Sequence, residues 1–118
     1  MLMNYICFGT NDLEAATRFY DSLFENSGIS QVHATERMVY WRGADFTFAL
    51  AKPFDGQAAT HGNGTMLGFQ ADTSDEVRRL FERVIALGGS SEGEPGQRGP
   101  KFSAYVRDLD NNKIAFFD

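Results

Sequence analysis

The chain has 118 residues, of which 42% are hydrophobic, 14% aromatic and 23% charged, a composition typical of one globular domain and not of a disordered or collagen-like chain. The formal net charge of −5 argues against nucleic acid or an anionic membrane surface as the main partner. The single cysteine, Cys7, cannot form an internal disulfide, and no basic leader or long apolar run is present, so we expect a cytoplasmic protein without a membrane span.

The first half of the chain is predicted to form a strand, a helix and three short strands. A helix begins at Asn11 or Asp12, since either can cap it, and ends near residues 26–28, where Gly28 can adopt a left-handed conformation. Its apolar residues recur at i, i+3, i+4, i+7 and i+8, the spacing of a buried helix face: Ala16, Phe19, Tyr20, Leu23 and Phe24. The strands are expected at residues 4–8, 29–34, 38–42 and 46–51, with a hairpin turn at 43–45.

The second half repeats this pattern after a shift of 61 residues. A helix begins at Thr73 and ends at 87–89, and its apolar stripe has the same spacing: Val77, Leu80, Phe81, Val84 and Ile85. Strands are expected at 65–69, 90–94, 102–107 and 113–117, and residues 93–100 are expected to be a loop. We therefore predict a single domain, 1–118, with an internal repeat of 1–52 and 65–118 joined by the loop 53–64.

Strand alternation divides the side chains between a face toward the helix and a face away from it. A shift of 67 residues aligns the last strands of the two halves and places Phe48 on Ala115. The face away from the helices is then predicted to carry Tyr5, Cys7, Tyr40, Phe46, Phe48, Leu50, Met66, Gly68, Gln70, Tyr105, Ala115 and Phe117. This face is too apolar for open water. Either it forms a cup that holds a small ligand, or its own side chains or a partner chain fill it.

Two segments carry a resemblance to a known family. The opening residues 4–13, followed by Arg18, Phe19 and Tyr20, and the closing residues 106–114 resemble the glyoxalase/bleomycin-resistance/dioxygenase superfamily, also called the vicinal oxygen chelate fold. The resemblance covers nearly the whole chain. It implies an α+β fold of two βαβββ modules, with curved mixed sheets that form cups and one helix packed outside each module. It also implies a homodimer.

The enzymes of this family hold a divalent metal with His or Glu at four equivalent positions. Carried onto this sequence, those positions are Tyr5, Phe48, Met66 and Ala115. Phe and Ala have no ligand atom, a thioether suits soft metals, and a neutral phenol is a poor ligand for zinc, nickel or magnesium. We therefore expect neither a metal nor another cofactor.

Other chemistry-bearing side chains have simpler explanations. His33 and His61 are expected at the surface, and Cys7 is expected to be a buried small hydrophobic residue. Asp108 and Asp110 are expected to stabilise a hairpin turn. Among the arginines, Arg98 in the loop 93–100 is a candidate for binding a ligand carboxylate or phosphate, whereas Arg42 and Arg107 are expected to be solvated or to stabilise turns.

These observations favour a metal-free protein that binds a small, partly aromatic molecule in an apolar cup, as bleomycin-resistance proteins do. The candidate ligand-binding residues are those of the apolar face, except Gly68, together with Arg98. The net charge favours a neutral or cationic ligand. The alternatives are a glyoxalase-like lyase or isomerase with a rearranged metal site, and a structural dimer whose cups are filled by their own aromatic side chains.

Overall fold

The computed structural model describes residues 1–118 and divides them into two compact units, Met1–Thr60 and His61–Asp118. Each unit consists of one helix and one four-stranded mixed sheet. The predicted α+β fold with two βαβββ modules is therefore confirmed. No helix is long and apolar enough to cross a membrane.

The first unit has the order strand, helix and three strands. Its elements are β1 (Tyr5–Gly9), α1 (Leu13–Leu23), β2 (Ser30–Ala34), β3 (Met38–Arg42) and β4 (Thr47–Ala51). In the sheet the order is β1-β4-β3-β2, with β1 parallel to β4 and the other neighbours antiparallel. The first strand of the unit thus pairs with the last one, after the chain has passed over the sheet as α1.

The second unit has the same order of elements. They are β5 (Met66–Gln70), α2 (Ser74–Ala86), β6 (Ser90–Arg98), β7 (Lys101–Arg107) and β8 (Lys113–Phe117). The strand order is β5-β8-β7-β6, again with one parallel pair at the start of the sheet.

Both helices begin at residues whose side chains accept a backbone hydrogen bond from the first turn. The Asp12 carboxylate accepts from the Ala15 N–H at 3.0 Å, and the Thr73 hydroxyl accepts from the Glu76 N–H at 3.1 Å. Each capping side chain accepts a hydrogen bond from a backbone N–H group of the first turn, which has no acceptor within the helix. α1 ends at Leu23, earlier than predicted, and the chain leaves the following turn at Gly28 with φ of +79°.

The core of the first unit lies between α1 and one face of its sheet and is rich in aromatic side chains. Tyr20 of α1 lies 4.5 Å from Phe48 of β4 between ring centroids, and Trp41 and Phe24 also contact this pair. The Trp41 indole N–H donates to Asp21 at 2.8 Å. In the second unit the buried residues are mostly aliphatic, among them Val77, Val84, Val106 and Ile114. Ile85, the last residue of the predicted stripe, is 41% exposed.

The prediction of a loop at 93–100 is wrong. β6 continues to Arg98 and pairs with β7, so only a tight turn at Gly99–Pro100 separates the two strands. The strand accommodates Pro95 and two glycines because its register shifts between Ser91 and Gly93 and again between Gly93 and Gly96. Bulges of this kind at a sheet edge tolerate a proline, which has no N–H to donate.

Candidate functional site

In each unit, one face of the sheet lies away from the helix, and we call it the open face. Residues paired across neighbouring strands share a face, so the register decides which side chains lie there. In the first unit, Tyr5, Thr47 and Arg42 form one row of the open face, and Cys7, Ala49 and Tyr40 form the next. The predicted placement of Tyr5, Cys7 and Tyr40 on this face is therefore confirmed.

A concave site of about 470 Å³ lies on the open face of the first unit. This volume falls in the range of about 300–1,000 Å³ that is usual for small-molecule sites. Its lining residues are Asn4, Tyr5, Arg37, Met38, Tyr40 and Thr47, and we call it the open-face site. Two of them, Tyr5 and Tyr40, are candidates that strand alternation identifies from the sequence.

Hydrogen bonds to one sulfur atom fix the centre of the open-face site. The Met38 Sδ accepts from the Arg37 Nη2 at 3.1 Å and from the Tyr40 hydroxyl at 3.3 Å. The Arg37 Nη1 donates to the Lys52 carbonyl at 2.9 Å, and its guanidinium lies 5.6 Å from the centroid of the Phe54 ring. The side chains that a ligand would contact are thus held in place by neutral groups of the chain itself.

Cys7 lies on the open face. The expectation that this residue is buried is therefore wrong. The residue is exposed, because nothing in the unit covers that face of β1, and its thiol donates a weak hydrogen bond to the Phe8 carbonyl at 3.7 Å. Desolvation by the surrounding protein atoms raises the pKa of the Cys7 thiol, and the positive charge of Arg37 opposes this rise only in part. A thiol with a raised pKa is a poor nucleophile near neutral pH.

The predicted placement of Phe48 and Leu50 on the open face is wrong. Phe48 pairs with Ile6 and Trp41, and both Phe48 and Leu50 are buried in the core beneath α1. The internal alignment of the last strands is off by one residue, because Ala49 and not Phe48 holds the ladder position of Ala115. A slip of one residue exchanges the two faces of a strand.

Phe46, also expected on the open face, lies outside the sheet. β4 begins one residue later, at Thr47, and the Phe46 carbonyl accepts a hydrogen bond from the Gly43 N–H at 3.0 Å within the β3–β4 turn. The prediction extended the strand into the turn, since an apolar residue next to Thr47 continues the strand pattern.

The open face of the second unit carries the other predicted candidates. Gly68, Ala115 and Tyr105 form one row, and Gln70, Phe117 and Ser103 form another. Met66 begins β5 on the same face and is 47% exposed. The predicted face of Met66, Gln70, Tyr105, Ala115 and Phe117 is therefore confirmed, whereas their contact with a ligand stays a prediction.

Arg98 lies at the end of β6 and not in a loop. Its guanidinium donates to the carbonyls of Ser103 and, at 2.7 Å, of Glu94, and it lies 5.2 Å from the centroid of the Tyr105 ring. These contacts explain its position within the β6–β7 hairpin. They leave it less available to a ligand than the sequence suggests.

The positions that correspond to the family's metal ligands do not fit a divalent ion. With the corrected register they are Tyr5 and Ala49 in the first unit, and Met66 and Ala115 in the second. Two alanines supply no donor atom, and a phenol and a thioether are poor donors for hard or borderline divalent ions. No three His, Cys, Asp or Glu side chains lie close enough together to hold a metal.

The remaining polar candidates have local structural roles. His33 and His61 are exposed. The buried Asp108 carboxylate accepts from the backbone N–H groups of Asp110 and Asn112, each at 2.9 Å, which stabilises the β7–β8 turn as predicted. Arg107 donates to Glu92 at 3.0 Å, and Arg42 donates to the Thr47 hydroxyl at 3.1 Å.

A larger depression of about 910 Å³ lies beside the N-terminal end of α1, apart from the open face. It is lined by charged side chains of both signs, including Asp12, Glu14, Arg18 and Lys52, and by no aromatic ring. Specific binding sites combine apolar and aromatic walls with a few placed polar groups. The open-face site fits this description better.

Four residues of the open-face site were missed from the sequence. Met38 and Thr47 could have been found, because Met38 has the same strand parity as Tyr40, and a corrected register places Thr47 beside Tyr5. Asn4 and Arg37 precede their strands, where alternation gives no information. Arg37 reaches the site because its side chain bonds to Lys52, which is distant in sequence.

Comparison with known structures supports one family. A glyoxalase/bleomycin resistance protein from Albidiferax ferrireducens T118 is 38% identical, with a TM-score of 0.90 over 99% of this chain and 98% of that one. The fosfomycin resistance protein FosX from Mesorhizobium loti is 25% identical, with a TM-score of 0.74 over 99% of this chain and 90% of that one. A glyoxalase-related enzyme from Fulvimarina pelagi is 24% identical, with a TM-score of 0.84 over 99% and 87%.

Among curated proteins, no match to this chain was found. The family model described as Glyoxalase/Bleomycin resistance protein/Dioxygenase superfamily matches residues 2–116. This match covers both units and every helix and strand except Phe117, the last residue of β8. The chain belongs to the Glyoxalase/Bleomycin resistance protein/Dioxygenase superfamily.

Proposed function

We propose that this protein binds a small, partly aromatic molecule on the open face of its sheets without using a metal ion. The observation that carries the proposal is the open-face site, where two tyrosines, a methionine and an arginine surround a concave volume of about 470 Å³. Aromatic rings supply contact area, and the few polar groups beside them orient a ligand.

The composition of the site favours binding over catalysis. Cys7 is the only nucleophilic thiol, its pKa is raised, and it is not part of the lining of the open-face site. A general base of ordinary type is also absent from the lining, since neither His, Asp nor Glu contributes to it. A binding protein needs none of these groups.

The metal-free part of the proposal rests on the chemistry of the donor positions. Tyr5, Ala49, Met66 and Ala115 offer one phenol and one thioether where related enzymes use His or Glu. A divalent ion loses hydration on binding and needs three or four good donors to replace it. The alternative function, a lyase or isomerase with a rearranged metal site, would need such donors elsewhere.

Two measurements test the proposal on protein purified without a histidine tag. Metal analysis after incubation with zinc, nickel and manganese is expected to find well below one equivalent of each. A thermal-shift screen with aromatic metabolites and drugs is expected to give saturable hits. Stoichiometric, tightly bound metal would instead support the lyase or isomerase.

A variant locates the binding to the open-face site. Tyr5→Ala removes a ring that is 62% exposed, so the fold is retained, while affinity for a hit is expected to fall about tenfold or more, the usual cost of losing an aromatic anchor. Val32→Ala, an exposed apolar residue of β2 outside the lining, is the matched control and is expected to bind normally. Equal binding by both variants would contradict this location.

Homodimerisation is a further part of the proposal, supported by the resemblance to a family whose members are often dimers. Analytical ultracentrifugation of the full chain measures it directly. The ligand proposal does not depend on the result, because the open-face site lies within one unit of one chain.

A further inference from the structure

The open face of the first unit carries positive charge and no acidic side chain. The open-face positions of its four strands include Arg42, and Arg37 directly precedes β3. The acidic residues of this unit lie in α1 and the segments that flank it, and in turns and loops: Asp12, Glu14, Asp21, Glu25, Glu36, Asp45 and Asp55. The net charge of the chain therefore does not describe the charge at the site.

Arg37 has a positive charge that no carboxylate of the chain neutralises. The partners of its guanidinium are the Lys52 carbonyl, the Met38 sulfur and the face of the Phe54 ring, and Arg37 forms no ion pair. These contacts use two of its five N–H groups, so the others remain for a further acceptor. A guanidinium with free N–H groups binds a planar oxyanion through two parallel hydrogen bonds.

The guanidinium is also held in place before any ligand arrives. The same Met38 sulfur accepts hydrogen bonds from Arg37 and Tyr40, which sets the cation beside a ring whose face can contact an apolar body. Preorganisation of this kind lowers the entropy lost on binding. Asn4, Tyr5 and Thr47 complete the lining, with an amide, an exposed ring and a hydroxyl.

We propose that the open-face site recognises an aromatic carboxylate, whose oxyanion binds the Arg37 guanidinium while its ring contacts Tyr5 and Tyr40. This inference rests on the proposed function and names its ligand class. It reverses the expectation of a neutral or cationic ligand, because that expectation was based only on the net charge of the chain. Charges beyond about 10 Å are largely screened at ordinary ionic strength, whereas a charge in direct contact is not.

Three probes with one ring and different charges test the inference: benzoate, benzamide and benzamidinium. Isothermal titration of the full chain, with backbone amide NMR shifts to locate the binding, gives each affinity. We expect benzoate to bind about tenfold more tightly than benzamide, as a hydrogen-bonded charge pair allows. Benzamidinium is expected to bind more weakly than either, because its cation would face Arg37.

Variants assign the preference to Arg37. Arg37→Gln is expected to abolish the advantage of benzoate over benzamide, and Arg37→Lys to restore part of it, since an ammonium keeps the charge but not the planar pair of donors. Arg79→Gln removes a cation from the exposed side of α2, where it pairs with Glu76, and is expected to leave all three affinities unchanged.

The outcomes separate this inference from the proposed function. Equal affinity for the three probes at the open-face site would overturn the anion preference and leave small-molecule binding intact. A benzoate preference that survives Arg37→Gln would overturn the assignment to Arg37. Absence of binding by the probes and by every compound of the thermal-shift screen would overturn both proposals.

Discussion

The chemical character of Cys7 on the open face depends on the protein atoms around it and on Arg37, which is distant in sequence. Cys7 has Ala49 beside it on the next strand and lies within the electrostatic influence of Arg37. Desolvation raises the pKa of its thiol more than Arg37 lowers it. The thiolate form, which is the reactive one, is therefore scarce at neutral pH.

This balance predicts how Cys7 reacts with iodoacetamide. The pH at which its alkylation rate reaches half of the maximum is expected to lie above that of a free cysteine, because a raised pKa moves formation of the thiolate to higher pH. Arg37→Gln is expected to move this midpoint higher still, since the charge that favours the thiolate is lost. Arg42→Gln is the control and should not change it. A midpoint below that of free cysteine would contradict the prediction.

At the scale of elements, the length of one turn decides which residues of β4 form the core. Four residues separate β3 from β4, and five separate β7 from β8. The last strands of the two units therefore correspond after a shift of 66 residues, which aligns Ala49 with Ala115 and Phe48 with Ile114. Because side chains alternate along a strand, this difference of one residue in turn length moves Phe48 from the predicted binding face to the core.

Substitution of Phe48 tests that register. Phe48→Ala is expected to lower the free energy of unfolding by about 3–5 kcal/mol, the usual cost of deleting a buried phenylalanine, since its ring contacts Tyr20 and Trp41. Thr47→Ala, one position away on the open face, is expected to cost less than about 1 kcal/mol. Urea unfolding measures both values. The opposite order would place Phe48 on the open face.

At the scale of the whole molecule, the distribution of charge matters more than its sum. The chain carries a formal charge of −5, yet the open faces of both units present cations. In the second unit, Lys113 lies 5.4 Å and Arg98 lies 5.2 Å from the centroid of the Tyr105 ring. A third cation of this unit, Arg107, forms an ion pair with Glu92. Net charge alone would predict repulsion of an anionic ligand.

Salt dependence distinguishes the local charge from the total. The affinity for benzoate is expected to fall as the ionic strength rises from about 0.01 M to about 1 M, where the screening length shortens from about 30 Å to about 3 Å. Screening weakens the attraction between benzoate and Arg37, which lowers the affinity. If repulsion by the net charge dominated instead, screening would weaken that repulsion and raise the affinity. Benzamide, which is neutral, is the control and should show little change. A benzoate affinity that rises with salt would contradict the local interpretation.

Much of the fold was predictable from local spacing. The apolar stripe of α1, the cap at Thr73 and the strands Met38–Arg42 and Lys113–Phe117 agree with the sequence pattern. These features depend on periods of 3.6 and 2 residues and on capping atoms within one turn. β6 is the exception, because proline and glycine indicate a loop unless bulges absorb them.

The candidate site was predictable only in part. The sequence by itself determined the two βαβββ units and the open-face position of Tyr5 and Tyr40, because these follow from short-range patterns, and it indicated the family through a resemblance at both ends of the chain. Only the tertiary structure decided that Phe48 belongs to the core and that Arg37 belongs to the site. The first depends on a one-residue difference in turn length, and the second on a hydrogen bond to Lys52, 15 residues away. Side-chain alternation cannot report either, since pairing register and long-range contacts are set by how the strands assemble.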